Sequence, residues 1–230
     1  MLTVMSLFSG IGGLDLAAEW AGMQTVMFCE KDTFCQQILK QHWPNVPVVE
    51  DVRNVRGMPV DVVTGGYPCQ PFSHAGRRAG HGDERHLWPE MLRIVRECNP
   101  SWVVGENVKG HLTLGLDEVL SDLADTNYEA RAFILPACAV GANHARERVF
   151  IVAHHNRLRV EGTGAELKAT RFDERIGCHW QTVKPRTMRM DDGSTAGTHR
   201  SRIQSIGNAV VPQQAYPIFA AIKAISERVT

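Results

Sequence analysis

TVMSLFSGIGGLDLAAEW, residues 3–20, passes from one periodicity to another. TVMSLF (3–8) is a short apolar run of strand length. SGIGG follows, and LDLAAEWAG (14–22) carries its apolar residues at helical spacing. Glycines in such a turn let backbone approach a ligand closely, and the helix N-terminus offers free N–H groups.

The same alternation continues outward. TVMFCE (25–30) predicts a second strand, and DTFCQQILKQHW (32–43) a second helix with Asp32 or Thr33 as N-cap. VVEDV (48–52) predicts a short third strand, and DVVTGGYPC (61–69) a strand running into a turn. LWPEMLRIVRECNP (87–100) reads as a helix stopping at Asn99-Pro100, and SWVVGENV (101–108) as a strand. LDEVLSDLADTN (116–127) is helical, and EARAFILPA (129–137) and RVFIVAHH (148–155) predict two more strands. Pro212 opens a last helical stretch, QQAYPIFAAIKAISERV (213–229). Strand–helix alternation on this scale predicts a Rossmann-like, doubly wound α/β sheet, with ligands outside the carboxyl ends of its strands. Residues 1–155 form the expected catalytic and cofactor-binding domain, 156–202 a short variable segment, and 203–230 a segment returning to that domain.

The 230 residues carry no net charge, which hides an uneven distribution. Residues 1–156 are net −5, residues 157–202 net +4 and residues 203–230 net +1, so the basic excess lies late in the chain. None of the six cysteines forms a C-x-x-C pair, so neither a structural zinc site nor a redox motif is expected. The absence of a leader or a long apolar run predicts a cytoplasmic protein without a membrane segment.

The glycine turn, residues 8–14, stands at one end of the expected ligand cleft. Glu30 ends the second strand about 20 residues on, where a carboxylate can accept from ribose hydroxyls. Asp51 ends the third strand, within reach of an adenine amine. These features point to a nucleoside cofactor but do not separate a dinucleotide from S-adenosylmethionine. Three further clusters fall at later strand ends or loops: PCQ (68–70), ENV (106–108) and HARER (144–148). They would bring a thiol, a carboxylate and two arginines above one sheet. Cys69 stands between Pro68 and Pro71 on a stiff turn, an unusual setting for a thiol that only fills a core gap.

In this order and spacing the motifs resemble those of the DNA (cytosine-5)-methyltransferases. FSGIGGL resembles the family's first motif, GGYPCQPFSHAGRRAG its catalytic-cysteine motif and GENVKG its catalytic-glutamate motif. HARERVFIVA is similar to its arginine motif and RIQSIGNAVVPQ to its last motif. The resemblance implies S-adenosylmethionine as cofactor, held by Phe8, Ser9, Gly10, Gly12, Gly13, Leu14, Glu30, Lys31, Asp51, Val52, Pro68, Asn208 and Val210. It implies Cys69 as the nucleophile adding to carbon 6 of a flipped-out cytosine, and Glu106 at the base edge near N3. Arg148 would contact the O2 side with Arg146 supporting it, and Gln70, Ser73, Arg77 and Arg78 would meet DNA. Duplex DNA is the implied partner, with a cognate restriction endonuclease as companion, a monomer as the expected state and no metal.

Two features depart from the family pattern. His144 stands where the arginine motif often starts with Gln. Family members carry a sizeable target-recognition domain before the last motif, whereas residues 157–202 are few and net +4. Three readings stay open at this point: a DNA methyltransferase, a relative acting on RNA, and a truncated protein that binds cofactor or DNA without catalysis. A nicotinamide oxidoreductase is disfavoured by Cys69-Gln70 together with Glu106-Asn107.

Overall fold

The structure, a computed structural model, describes residues 1–68, 87–158, 205 and 207–229. The readings made on Cys69, Gln70, Ser73, Arg77 and Arg78, and nearly all of 156–202, lie outside the described residues.

The elements follow in the predicted order. They are β1 (Thr3–Leu7), α1 (Gly13–Trp20), β2 (Gln24–Cys29), α2 (Thr33–His42), β3 (Val48–Val49), β4 (Val62–Gly65) and α3 (Trp88–Cys98). Then come β5 (Trp102–Val108), α4 (Leu116–Asp125), β6 (Tyr128–Pro136), β7 (Glu147–His155) and α5 (Pro212–Val229). Local chemistry sets several boundaries. Asp32, not Thr33, caps α2: its Oδ1 accepts from Phe34 N–H at 2.9 Å and Cys35 N–H at 3.0 Å. α3 ends at Asn99, whose φ of 46° is the left-handed stop that Pro100 then enforces.

The third strand is shorter than the sequence pattern predicts. Asp51 Oδ1 accepts from Arg53 N–H at 2.9 Å and caps a single 3₁₀ turn, Val52–Asn54, which takes the chain out of the sheet after Val49. β4 stops at Gly65, ahead of the residues read as a turn, and Pro68, without an N–H, cannot extend the ladder.

The strands form one sheet in the order β3-β2-β1-β4-β5-β7-β6. β1 pairs in parallel with both β2 and β4, so the strand order reverses at β1/β4, the switch point where α/β sheets bind ligands. β7 alone is antiparallel, to β5 on one side and β6 on the other. Alternate residues of each strand feed opposite layers. Met5, Val63 and Val103 pack with Met91 and Ile94 of α3 and Leu123 of α4. Val4, Val62 and Val104 pack with Ala17 and Ala18 of α1 and with Phe219 and Ile222 of α5. The result is a three-layer helix–sheet–helix sandwich whose ligand end is the carboxyl edge of β1, β2, β4 and β5.

Candidate active site

A cavity of about 780 Å³ opens at that carboxyl edge. Of the residues predicted to hold a cofactor, Phe8, Ser9, Gly10, Gly13, Leu14, Glu30, Lys31, Asp51, Val52, Pro68, Asn208 and Val210 line it. Gly12 does not. It is the left-handed N-cap of α1 (φ 84°), and a Cβ there would meet the Trp43 ring at 2.6 Å. Phe8 takes φ 52°, a conformation rare for a bulky residue, as the chain leaves β1 for the glycine turn.

Glu30 braces the turn from β2. Its Oε2 accepts from Gly10 N–H and its Oε1 from Asp32 N–H, both at 2.7 Å. The carboxylate is thereby fixed at the cavity wall with lone pairs to spare. The Arg53 N–H, reinforced by its guanidinium, holds the Asp51 carboxyl below the usual range. From the far end of the chain, Val210 closes over the turn: a Cβ on Gly13 would meet the Val210 carbonyl oxygen at 2.6 Å.

Glu106 and Arg148 share this cavity, and the direction of β7 explains why. β7 runs antiparallel to β5, with Val108 opposite Arg148 and Glu106 opposite Phe150. Arg148 is therefore a diagonal neighbour of Glu106; a parallel β7 would carry it to the other sheet edge. Arg148 Nε lies 2.8 Å from Glu106 Oε1, with the two side chains 13% and 9% exposed. The contact is Coulombic rather than an aligned hydrogen bond, so the buried Oε1 keeps its accepting capacity unused. Burial pushes the Glu106 carboxyl up to about 7, against the opposing pull of Arg148 and Arg146. Gly66 makes room for this side chain: a Cβ there would stand 3.1 Å from Glu106 Oε2.

Arg146 turns elsewhere. It does not line this cavity; its Nη2 donates to the carbonyls of Gly207 and Ala209. Two cavity-lining positions carried no assigned role in the sequence reading. Asn107 Nδ2 donates to the Tyr67 carbonyl at 3.1 Å and ties β5 to the residue before Pro68. Tyr67 is pinned in turn by its hydroxyl on His111 Nε2 at 2.8 Å and by its ring against Trp88, with 5.1 Å between centroids. Asn107's place beside Glu106 in ENV and Tyr67's place before Pro68-Cys69 were the available signals, while their partners are remote in sequence. Cys29 and Cys35 also face the cavity. Burial pushes their thiols up to about 12 and about 11, which keeps both neutral and unreactive.

A family model, the C-5 cytosine-specific DNA methylase, matches residues 2–192. The chain belongs to the C-5 cytosine-specific DNA methylase family. Among relatives of this chain, the Type II methyltransferase M.Eco47II of Escherichia coli is 39% identical over 169 residues, covering 68% of this chain and 40% of its own. Type II methyltransferase M.AquIA of Picosynechococcus is 35% identical over 180 residues, covering 67% of this chain and 72% of its own. A solved E. coli prophage-encoded protein, assigned as a DNA modification methyltransferase, matches with a TM-score of 0.60 at 28% identity, over 69% of this chain and 48% of that one. Spodoptera frugiperda DNMT2 shares the fold at a TM-score of 0.59 and 24% identity, over 69% of this chain and 51% of its own. The chain thus spans less than half the length of M.Eco47II and of the prophage protein. Its α/β sheet is the S-adenosylmethionine-dependent methyltransferase fold. No described helix is long and apolar enough to cross a membrane.

Proposed function

We propose that the protein is a DNA (cytosine-5)-methyltransferase that takes its methyl group from S-adenosylmethionine. The observation that carries this reading is the buried Glu106–Arg148 pair, 2.8 Å apart in the same cavity as the glycine turn and Glu30. The cavity suits a nucleoside cofactor. Glu30 offers fixed carboxylate lone pairs for ribose hydroxyls, Phe8 an apolar face, and Asp51 an acceptor at the next strand end. S-adenosylmethionine, when bound, would supply an activated sulfonium methyl.

Cys69, between Pro68 and Pro71 in the sequence, is the proposed nucleophile. Its role follows from the family resemblance, and the inertness of Cys29 and Cys35 supports it. The thiolate adds to carbon 6 of a flipped-out cytosine, forming a C–S bond and making carbon 5 electron-rich enough to accept the methyl. Glu106, near its midpoint at neutral pH, delivers a proton toward N3 as the adduct forms. The Arg148 guanidinium stabilises the negative charge that develops on the O2 side. Once carbon 5 carries the methyl, with S-adenosylhomocysteine as the leaving group, it gives up its proton to solvent, the C–S bond breaks to return the thiolate, and N3 returns its proton to Glu106. Gln70, Ser73, Arg77 and Arg78 are proposed to meet the DNA, and 157–202 with its net charge of +4 to hold phosphates. Residues 1–155 would act as the catalytic unit and 203–230 as the segment that completes it. A cognate endonuclease, a monomeric state and a cytoplasmic location belong to the same proposal.

The test is tritium transfer from labelled S-adenosylmethionine to duplex DNA, with tRNA in parallel. Label in DNA alone supports the reading. Label in tRNA alone redirects it to RNA, and label in neither, with S-adenosylhomocysteine still bound, leaves a non-catalytic binding protein.

A further inference from the structure

The last wall of the cavity is a strap, Gly207 to Val210, and its strongest tether is one side chain. Arg146 Nη2 donates to the Gly207 carbonyl at 2.7 Å and to the Ala209 carbonyl at 2.6 Å. Both are charge-assisted and short. They bracket Asn208, and the following Val210 sets its carbonyl against Gly13; both strap residues line the cavity. Gln214 Nε2 secures the far side, donating to the carbonyls of Leu135 at 2.6 Å and Arg146 at 3.1 Å. Ser205 Oγ meets Cys35 Sγ at 3.3 Å on the near side. Arg146 reaches the strap from φ 24°, a strained backbone for any residue with a Cβ. Two residues later, Arg148 points into the cavity toward Glu106. The two arginines of HARER therefore serve different walls of one site.

We propose that Arg146 is a positioning residue for the cofactor: it fixes Asn208 and Val210 against the glycine turn and sets cofactor affinity without touching the base. This rests on the cofactor reading given above. The backbone carbonyls it holds have no side-chain substitute, so the Arg146 guanidinium, whose Nη2 donates to both, is the element to perturb. Lys keeps the charge but lacks that planar, two-proton nitrogen.

The experiment is calorimetry with S-adenosylhomocysteine on the full chain, comparing wild type, Arg146→Met, Arg146→Lys and Arg148→Met. Transfer rates are measured at rising S-adenosylmethionine, and thermal melts are run without ligand. Loss of two charge-assisted hydrogen bonds should weaken S-adenosylhomocysteine binding of Arg146→Met by about ten- to a hundredfold. Arg146→Lys should recover part of that loss. Both should raise KM for the cofactor while kcat stays within about threefold of wild type. Arg148→Met should do the reverse, keeping affinity and losing kcat. Should Arg146→Met fail to fold, Arg146→Lys decides alone by the same KM-against-kcat split. Unchanged affinity with a collapsed kcat for an Arg146 variant overturns the inference and returns Arg146 to the base. A wild-type chain that binds no S-adenosylhomocysteine overturns the cofactor reading itself, and this inference with it.

Discussion

Replacing Glu106 by Gln exposes two consequences of one buried carboxyl. Burial raises it from 4.5 to about 7 despite the pull of Arg148 and Arg146. In the unfolded chain the group ionises near its ordinary value; in the folded chain it keeps its proton until about 7. Between those pH values the folded state binds more protons, so wild-type stability falls as pH rises through the window. At about 1.4 kcal/mol per unit, the loss totals about 3 kcal/mol and is complete a little above pH 7. Glu106→Gln has nothing to titrate there. Urea unfolding of both proteins from pH 4 to pH 8.5 should show the variant gaining on the wild type by about that amount. Methyl transfer should fall by about 10² to 10⁴, the usual loss when a positioned proton donor is removed. The decline of wild-type rate above pH 7 should disappear with it. Parallel stability curves between pH 4.5 and pH 7 would refute the burial argument, and a variant transferring within about tenfold of wild type would refute the acid role.

Cys69→Ser should abolish transfer yet keep S-adenosylhomocysteine affinity, and 5-fluorocytosine DNA should trap the wild type through Cys69; a mass-spectrometric adduct on Cys98 or Cys138 instead sinks the assignment. Gly13→Ala drives a methyl onto the Val210 carbonyl at 2.6 Å, so calorimetry should find cofactor affinity down about tenfold or more, as overpacking by 1–3 kcal/mol implies. Asp15, buried and held by Ser6 at 2.9 Å and Thr25 at 3.0 Å, is raised by burial from 3.8 to about 6. Asp15→Asn should therefore remove a stability loss of about 3 kcal/mol that the wild type suffers as pH rises from about 4 to 6, and denaturant titrations with unchanged pH slopes would contradict this. Bisulfite sequencing of methylated plasmid should reveal a target of about two to four base pairs, since the short 157–202 segment can present few bidentate base contacts.

Elements with their own periodicity were legible in the sequence. β1, β2, α2, α3, β5, α4, β6 and β7 fall within one or two residues of their predicted bounds, because each buries a continuous run or a stripe. β3 was overread because the Asp51 side chain caps a 3₁₀ turn, Val52–Asn54, that takes the chain out of the sheet. The antiparallel sense of β7 was not legible, since strand pattern does not record direction, and that sense is what brings Arg148 to Glu106. That the glycine turn, Glu30 and Glu106 meet at one cavity was legible from motif and strand-end position. Arg146's grip on Gly207 and Ala209 was not, because two hydrogen bonds to backbone carbonyls more than 60 residues away leave no trace in local residue types.

The strap also fixes an order of events in time. Ser205 meets Cys35 across 170 residues of chain, so the cavity's first walls emerge from the ribosome long before its last. At about 5–20 residues per second the interval is on the order of ten to thirty seconds. Throughout it the nascent protein exposes the glycine turn and Glu30 as an open trough, with Gly13 bare where Val210 will later sit. On the proposed cofactor reading, a ribosome stalled before residue 205 would carry a well-started sheet whose ligand cavity still lacks the wall formed by Asn208, Ala209 and Val210.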